Sequence, residues 1–248
     1  MATFLTKPMT GTMLLHNGDR LDQKTFHSLY KRTPPGFKAE LIGGIVHVPS
    51  PVSDLHGHPH LRMAQWLGTY EKVTPGVQGL DNTTTILGEE SEPQPDLCLR
   101  IEPEYGGRTW NKSPYVYGPV ELAIEIANSS VAIDLHAKKR DYEKAGVQEY
   151  LVILVKERRA IWFLLGKQGY SEIEPDKDRR LKSKVFPGLW LDPVGIFLAR
   201  SRRLIETLRE GLSFAARAWF VSNLESRRLA ARRLSRGRKT PDGGAGPP

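Results

Sequence analysis

The sequence predicts an α/β protein, a mixed β-sheet flanked by helices. Three observations predict it. In residues 120–126, Val120, Leu122, Ile124 and Ile126 recur at period two and Ala123 keeps the other face apolar, as in a central strand covered on both sides. Beyond the polar break Asn128-Ser129-Ser130, Asp134, Lys138 and Tyr142 recur every four residues and share one helical face, with Gly146 a natural stop. Residues 149–155, Glu-Tyr-Leu-Val-Ile-Leu-Val, then make the next strand.

The other elements follow in chain order. Residues 1–20 carry little signal and read as a poorly ordered lead-in. Residues 21–31 suit a short helix with Phe26, Leu29 and Tyr30 facing inward, ended by Thr33-Pro-Pro-Gly36. Residues 38–51 suit a hairpin turning at Gly43-Gly44. Residues 53–72 suit a helix whose buried side is bracketed by Leu61, Ala64, Gln65, Leu67 and Gly68. Residues 77–87 are β-prone, with 83–87 the clearest portion. Residues 92–101 run from a turn into a strand, and Pro95 suits a position where no ladder donor is needed. Residues 101–118 read as a polar surface loop packed by its own aromatics; its Arg108, Trp110 and Lys112 are also of the types that touch nucleic acid.

After the central unit, residues 159–165 make a strand that pairs back onto 151–155, and 169–173 another. Residues 182–191 close the domain. Trp162, Phe163, Trp190 and Phe197 are core candidates. Leu204, Leu208, Leu212, Ala215 or Ala216, and Trp219 then form an apolar stripe at helical spacing. The domain reading is a lead-in over 1–20, a main domain over 21–199, a basic amphipathic helical extension over 200–239 and a disordered Pro/Gly tail over 240–248.

Composition bounds the function. The 248 residues suffice for one large domain with an appendage. The single cysteine, Cys98, excludes a disulfide framework within the chain, reads as a small core hydrophobe and fits a cytoplasmic location. No apolar run is long enough for a membrane span, and the N-terminus has no signal-peptide pattern. The net charge of +8 is unevenly placed: from Arg200 onward there are twelve Lys and Arg against four Asp and Glu, while the preceding residues hold 24 of each. Arg227, Arg228, Arg232 and Arg233 are therefore candidate nucleic-acid contacts, since guanidinium groups pair well with phosphates. Membrane-surface contact, oligomerisation and a merely solubilising helix are the alternatives.

The chemistry gathers around acids. Glu125 falls near the C-terminal end of its strand, where open α/β sheets place their sites. Asp96 follows Pro95 at the start of another strand. Two acids on neighbouring strands with a lysine nearby suit Mg²⁺, which takes a few hard oxygen ligands, with Mn²⁺ as a substitute. The lysine can orient a water or offset charge on a phosphate. His56, His58 and His60 form a His-x-His-x-His turn without the carboxylate or cysteine partners of a closed site, so zinc is not expected.

Pro95-Asp96, Glu125, Asp134, Lys138-Lys139, Tyr142, Gly146-Val147 and Glu149-Tyr150 resemble the PD-(D/E)XK nuclease superfamily, and more narrowly its Uma-type restriction endonuclease branch. Glu40 to Pro51 and His56 resemble that branch's N-terminal hairpin and the entry to its first long helix. The match spans roughly residues 20 to 195. It departs from the superfamily pattern at Ala127, where a lysine is expected two residues after the strand acid; in this branch a lysine on the following helix stands in, and Lys138 fits best with Lys139 as its rival. The resemblance implies a restriction-endonuclease-like fold and a Mg²⁺-dependent endonuclease or nickase acting on DNA. Asp96, Glu125 and the carbonyl of Ile126 would be metal ligands. Lys138 or Lys139 would be the site lysine, and Glu40 a further acid pointing at the site. His56, Asp134 and Tyr142 are expected at the cleft, Tyr142 as a phosphate donor or as packing. Cutting both strands would favour a homodimer. The competing reading is a catalytically inactive nuclease fold that binds DNA or protein.

Overall fold

The computed structural model describes residues 14–112, 114–198 and 202–237. The expected tail and most of the expected lead-in lie outside the described residues. The part of the lead-in that is described, 14–20, is packed: Leu15 is buried, and Gly18 and Asp19 exchange backbone hydrogen bonds with Val46.

Helix α1 (Gln23–Tyr30) starts where the Asp22 carboxylate accepts the Thr25 N–H, and of its three expected inward residues only Phe26 is fully buried. Strands β1 (Glu40–Ile42) and β2 (Ile45–His47) pair antiparallel. Gly43 and Gly44 have φ of 57° and 73°, the left-handed values that a two-residue hairpin turn demands at both central positions.

Helix α2 (Asp54–Lys72) buries Pro59, Met63, Trp66, Leu67 and Tyr70. This corrects the expected stripe: Leu61 is 71% exposed, and Gln65 and Gly68 also face solvent. The two large aromatics set the phase, because burying Trp66 and Tyr70 removes far more apolar surface from water than burying Leu61.

Strand β3 (Val77–Asp81) belongs to the main sheet, while β4 (Thr85–Ile86), from the stretch with the clearest β signal, joins a small separate one. Strand β5 (Leu97–Ile101) is wholly buried. The expected surface loop 101–118 contains β6 (Trp110–Lys112) and β7 (Tyr115–Tyr117), so the small sheet has the order β4-β7-β6. Directly paired Trp110 and Tyr117 stack at 6.0 Å, and such cross-strand aromatic pairs stabilise short ribbons.

Strand β8 (Leu122–Ala127) leads through a π-helical turn, Ile133–Lys138, into α3 (Lys139–Ala145), which Gly146 ends at φ 84°. Strands β9 (Glu149–Leu154), β10 (Arg159–Gly166) and β11 (Gly169–Glu172) complete a six-stranded sheet of order β11-β10-β9-β8-β5-β3. The β8–β9 pair, joined by the helical crossover, is parallel and the other pairs are antiparallel, so the sheet is mixed as expected. Alternation divides its residues between two cores. Leu122, Ile124 and Ile126 face Trp66 and Tyr70 of α2. Ala123 and Ala127 face Tyr142 of α3 and Tyr150.

A short pair, β12 (Leu181–Lys182) with β13 (Trp190–Leu191), and a short α4 (Pro193–Phe197) close the body. Trp162 and Phe163 are buried, and Trp190 and Phe197 are half-buried. The extension is two helices, α5 (Arg203–Leu212) and α6 (Ala215–Gly237). Leu204 and Leu208 are buried as expected, but Trp219 is 69% exposed and Phe220 and Leu224 enter the core in its place. The non-helical residues 213–214 reset the helical phase, which a single continuous stripe does not anticipate. No described helix is long and apolar enough to cross a membrane.

Glu149, at the start of β9, is fully buried and accepts hydrogen bonds from Ser183 Oγ (2.7 Å) and the Lys184 and Val185 N–H groups (2.6 and 3.1 Å). Burial pushes its carboxyl up to about 7 against these donors. A proton therefore binds the folded chain more tightly than the unfolded one. The resulting stabilisation is complete below the ordinary value of 4.5 and is lost as the pH rises to about 7. Glu149→Gln is expected to flatten this part of the stability profile, worth at most about 3 kcal/mol. Denaturant melts across that range check it; a slope unchanged by the substitution would refute the assignment.

Candidate active site

The site is built at one edge of the β8–β5 pair. The antiparallel register Leu97↔Ile124 brings Asp96, one residue before β5, level with Glu125. Glu125 lies on the β8 face between Ala123 and Ala127, whose small side chains leave room for it. Asp96 Oδ2 accepts the Ile126 N–H at 2.7 Å, which anchors the loop acid to the strand that carries the other.

Lys138 ends the π-helical turn and is buried. Its Nζ lies 2.9 Å from Glu40 Oε1, 3.0 Å from Glu125 Oε1 and 3.9 Å from Asp134 Oδ1. Glu40 comes from the first strand of the hairpin, and its Oε1 also accepts the Gln94 N–H at 2.6 Å. Asp134 is fixed by Ser130, whose hydroxyl donates to Oδ2 at 2.5 Å. Tyr142 is buried and donates its hydroxyl to Glu125 Oε1 at 2.8 Å, so it holds the acid rather than facing the cleft. A π turn differs from the α-helix expected for this segment; such turns are wider, and they recur at functional sites.

Of the two rival lysines, only Lys138 reaches the acids. Lys139 Nζ sits 4.0 Å above the ring of Phe163. The cleft, ≈ 640 Å³, is lined by Glu40, His56, Asp96, Glu125, Asp134 and Lys138 among others. A second groove of ≈ 560 Å³ near Trp110 lacks any such cluster. The arginines stand elsewhere on α6. Arg227 packs against Gly106, Arg228 lies 3.7 Å from Glu225 and 5.2 Å over the ring of Tyr105, and Arg232 and Arg233 are exposed. None of the four lines the cleft.

Charge decides what the cluster can hold. Burial works against the Lys138 ammonium, but Glu125, Glu40 and Asp134 together outweigh it and hold it well above its ordinary value. Burial pushes Glu125 well up, Lys138 opposes this, and the like charges of Asp134, Asp96 and Glu40 add to it. Burial likewise lifts Asp134 to about 6. Asp96 is held low: burial would raise it, but the bond and charge of His56 win, helped by the Ile126 N–H. Three carboxyl groups thus lie within 3.9 Å of one ammonium, Asp96 lines the same cleft, and Asp134 Oδ1 is buried without a hydrogen bond. A divalent cation with hard oxygen ligands fits this excess. Asp96, Glu125 and Asp134 all line the cleft, but their ligand atoms do not all lie within 4.8 Å of one another.

His56 also lines the cleft. Its Nε2 is 3.4 Å from Asp96 Oδ1, and its Nδ1 donates to the Ile126 carbonyl at 2.9 Å. The carbonyl expected as a metal ligand therefore already has one partner. Sequence reasoning weighed His60 only as part of a zinc turn and set it aside, although its Nε2 is 3.0 Å from Asp81 Oδ1, and it missed the backbone of Gln94. A helix start at Asp54 was the available signal for His60, because it puts residues 56 and 60 on one face.

Lys138 neutralises acids that the fold buries, so its loss should cost stability directly. Lys138→Met is expected to destabilise the protein by about 3–5 kcal/mol at pH 7, as removal of one partner from a buried ion pair does. Lys139→Met removes only a contact with Phe163 and should cost about 1 kcal/mol or less. Lowering the pH protonates the abandoned carboxyl groups and should narrow the gap. Guanidinium melts of both variants check this, and equal losses would overturn the distinction.

Comparison with curated proteins gave no match. Among solved structures, one described as a putative nuclease belonging to DUF820, from Anabaena variabilis, is similar at TM-score 0.49 and 15% identity, covering 75% of this chain and 97% of that one. The sequence profile of the Uma2 family, described as "Putative restriction endonuclease", matches residues 24–194. That span runs from α1 to α4 and holds every residue of the cleft cluster, and the chain belongs to the Uma2 family.

Proposed function

We propose that the protein is a Mg²⁺-dependent endonuclease that hydrolyses DNA phosphodiester bonds, with Mn²⁺ able to substitute. The observation that carries this reading is the buried ammonium of Lys138 within 3.9 Å of Glu40, Glu125 and Asp134, in an open cleft that Asp96 also lines. The family's description supports nuclease chemistry. A divalent ion supplies an activated water and neutralises charge that develops on a phosphate.

The chain's own groups do the rest. Asp96 and Glu125 bind the ion, aided by the Ile126 carbonyl. Tyr142 holds Glu125 in place through its hydroxyl. Glu40 holds the Lys138 ammonium, whose three donors let it orient a water or stabilise a phosphate oxygen while still bonded to a carboxylate. The arginines of α6, Arg227, Arg228, Arg232 and Arg233, extend the contact along the DNA backbone. Cleavage of both strands calls for two such sites, as in a homodimer, and the reading places the enzyme in the cytoplasm.

The test is nicking of supercoiled plasmid with Mg²⁺, Mn²⁺ or EDTA. Cleavage should require the metal and fall at least about 100-fold in Glu125→Gln and Asp96→Asn, with DNA binding retained. Nicking that survives EDTA, or that Glu125→Gln leaves intact, would refute it. A folded protein that binds DNA, never cuts it and ignores both substitutions would be the inactive binding module.

A further inference from the structure

The geometry points to a site for a first-row transition ion formed by His56, His60 and Asp96, beside the carboxylate cluster. It rests on the metal-dependent reading of the same cleft and adds to it a preference that oxygen ligands alone do not give.

The helix creates the site. Because α2 begins at Asp54, His56 and His60 are four residues apart on one face, the spacing by which two imidazoles on a helix chelate a single metal. The intervening His58 is exposed and instead lies 3.4 Å from Arg62. The two site rings are 5.5 Å apart between centroids. One nitrogen from each ring and one oxygen of Asp96 all lie within 4.8 Å of one another.

The tautomer of His56 suits a metal ligand. A carbonyl only accepts, so Nδ1 must carry the proton shared with Ile126. Nε2 faces Asp96 Oδ1 at 3.4 Å and shares a proton with it, which an ion bound between the two would displace. That separation is long for a hydrogen bond. It is close to the separation of two ligands that each sit about 2.1 Å from a tetrahedral metal, roughly 3.4 Å. His60 has the matching arrangement from outside, with Nε2 3.0 Å from Asp81 Oδ1, a carboxylate–histidine pair of the kind that orients metal-binding rings. Two imidazoles and a carboxylate favour Mn²⁺, Co²⁺ or Zn²⁺ over Mg²⁺, which prefers oxygen throughout. The sequence alone offered a histidine turn with no carboxylate; the fold supplies a helix and Asp96.

The test uses Co²⁺ as the probe. Chelator-treated full-length protein is titrated with Co²⁺ by visible absorption, and with Mn²⁺ and Mg²⁺ by calorimetry, for wild type, His60→Gln and Glu125→Gln. Expected is a one-to-one Co²⁺ spectrum, with Co²⁺ and Mn²⁺ affinity at least about tenfold weaker in His60→Gln and Mg²⁺ affinity unchanged. Asp81→Asn, on an exposed side chain, should show the same effect more weakly and guards against misfolding of the histidine variant. Absence of a Co²⁺ spectrum, or equal affinity in His60→Gln, would overturn the inference. If Mg²⁺-dependent nicking that needs Glu125 persists in that case, the nuclease reading stands without it. Binding of Co²⁺ through His60 with no nicking in any metal would support the site and reject the nuclease.

Discussion

The buried ammonium of Lys138 is the constraint on which the rest of the site depends. An unpaired charge in that position would cost several kcal/mol, so the fold must deliver carboxylates to it. They arrive from three separate parts of the chain. The β1–β2 hairpin brings Glu40, the central strand β8 brings Glu125, and the turn that carries the lysine brings Asp134. Each arrival depends on an ordinary local feature: two left-handed glycines close the hairpin, alanines flank Glu125, and Ser130 fixes Asp134. Replacing a buried ion pair with well-packed apolar residues is often neutral or stabilising, so stability gives little reason to keep this one. The proposed chemical role would supply one.

Much of this was legible in the sequence because it follows from strong patterns. Period-two apolar residues fixed β8, and the step of four from Asp134 to Lys138 to Tyr142 put three side chains on one face. That step held even though the turn is π-helical, since all three residues became buried. Other features depended on long-range packing. The phase of α2 follows Trp66 and Tyr70, whose worth appears only once the sheet and Phe186 are in place against them. The two strands inside residues 101–118 depend on the stacking of Trp110 on Tyr117, and a polar composition concealed that pairing. His60 was set aside with the histidine turn for a similar reason. A turn and a helix put the same three histidines in different directions, and only the helix joins two of them to Asp96.

The two faces of the sheet do different work. The face toward α2 is apolar and is extended by Leu204, Leu208, Phe220 and Leu224, so the C-terminal helices are part of the core and not merely tethered to it. Their basic residues therefore stand on a rigid support, and Arg228 is further steadied by Tyr105 and Glu225. The opposite face is where polarity enters. Tyr142 and Tyr150 line it with hydroxyls directed at Glu125 and at the Asp134 carbonyl. These two rings pack at 4.9 Å and bring apolar bulk and hydrogen-bond donors to the same place, so Glu125 is desolvated without being left unpaired.

That packing also accounts for the lysine's place on a helix. Residue 127 is two beyond Glu125 on the same strand and so points to the same face. Here it is a fully buried alanine in the cluster with Tyr142 and Tyr150. A lysine in its place would start among those rings, and its four-carbon stem would need the volume they occupy. Lys138 instead approaches Glu125 from the turn above the sheet. It reaches the same oxygen that Tyr142 bonds and can bridge to Glu40 as well, which lies on the separate β1–β2 hairpin. With the ammonium on the crossover, the site depends on the hairpin, the central strand and the turn together. Its geometry is therefore fixed only when all three are folded against one another.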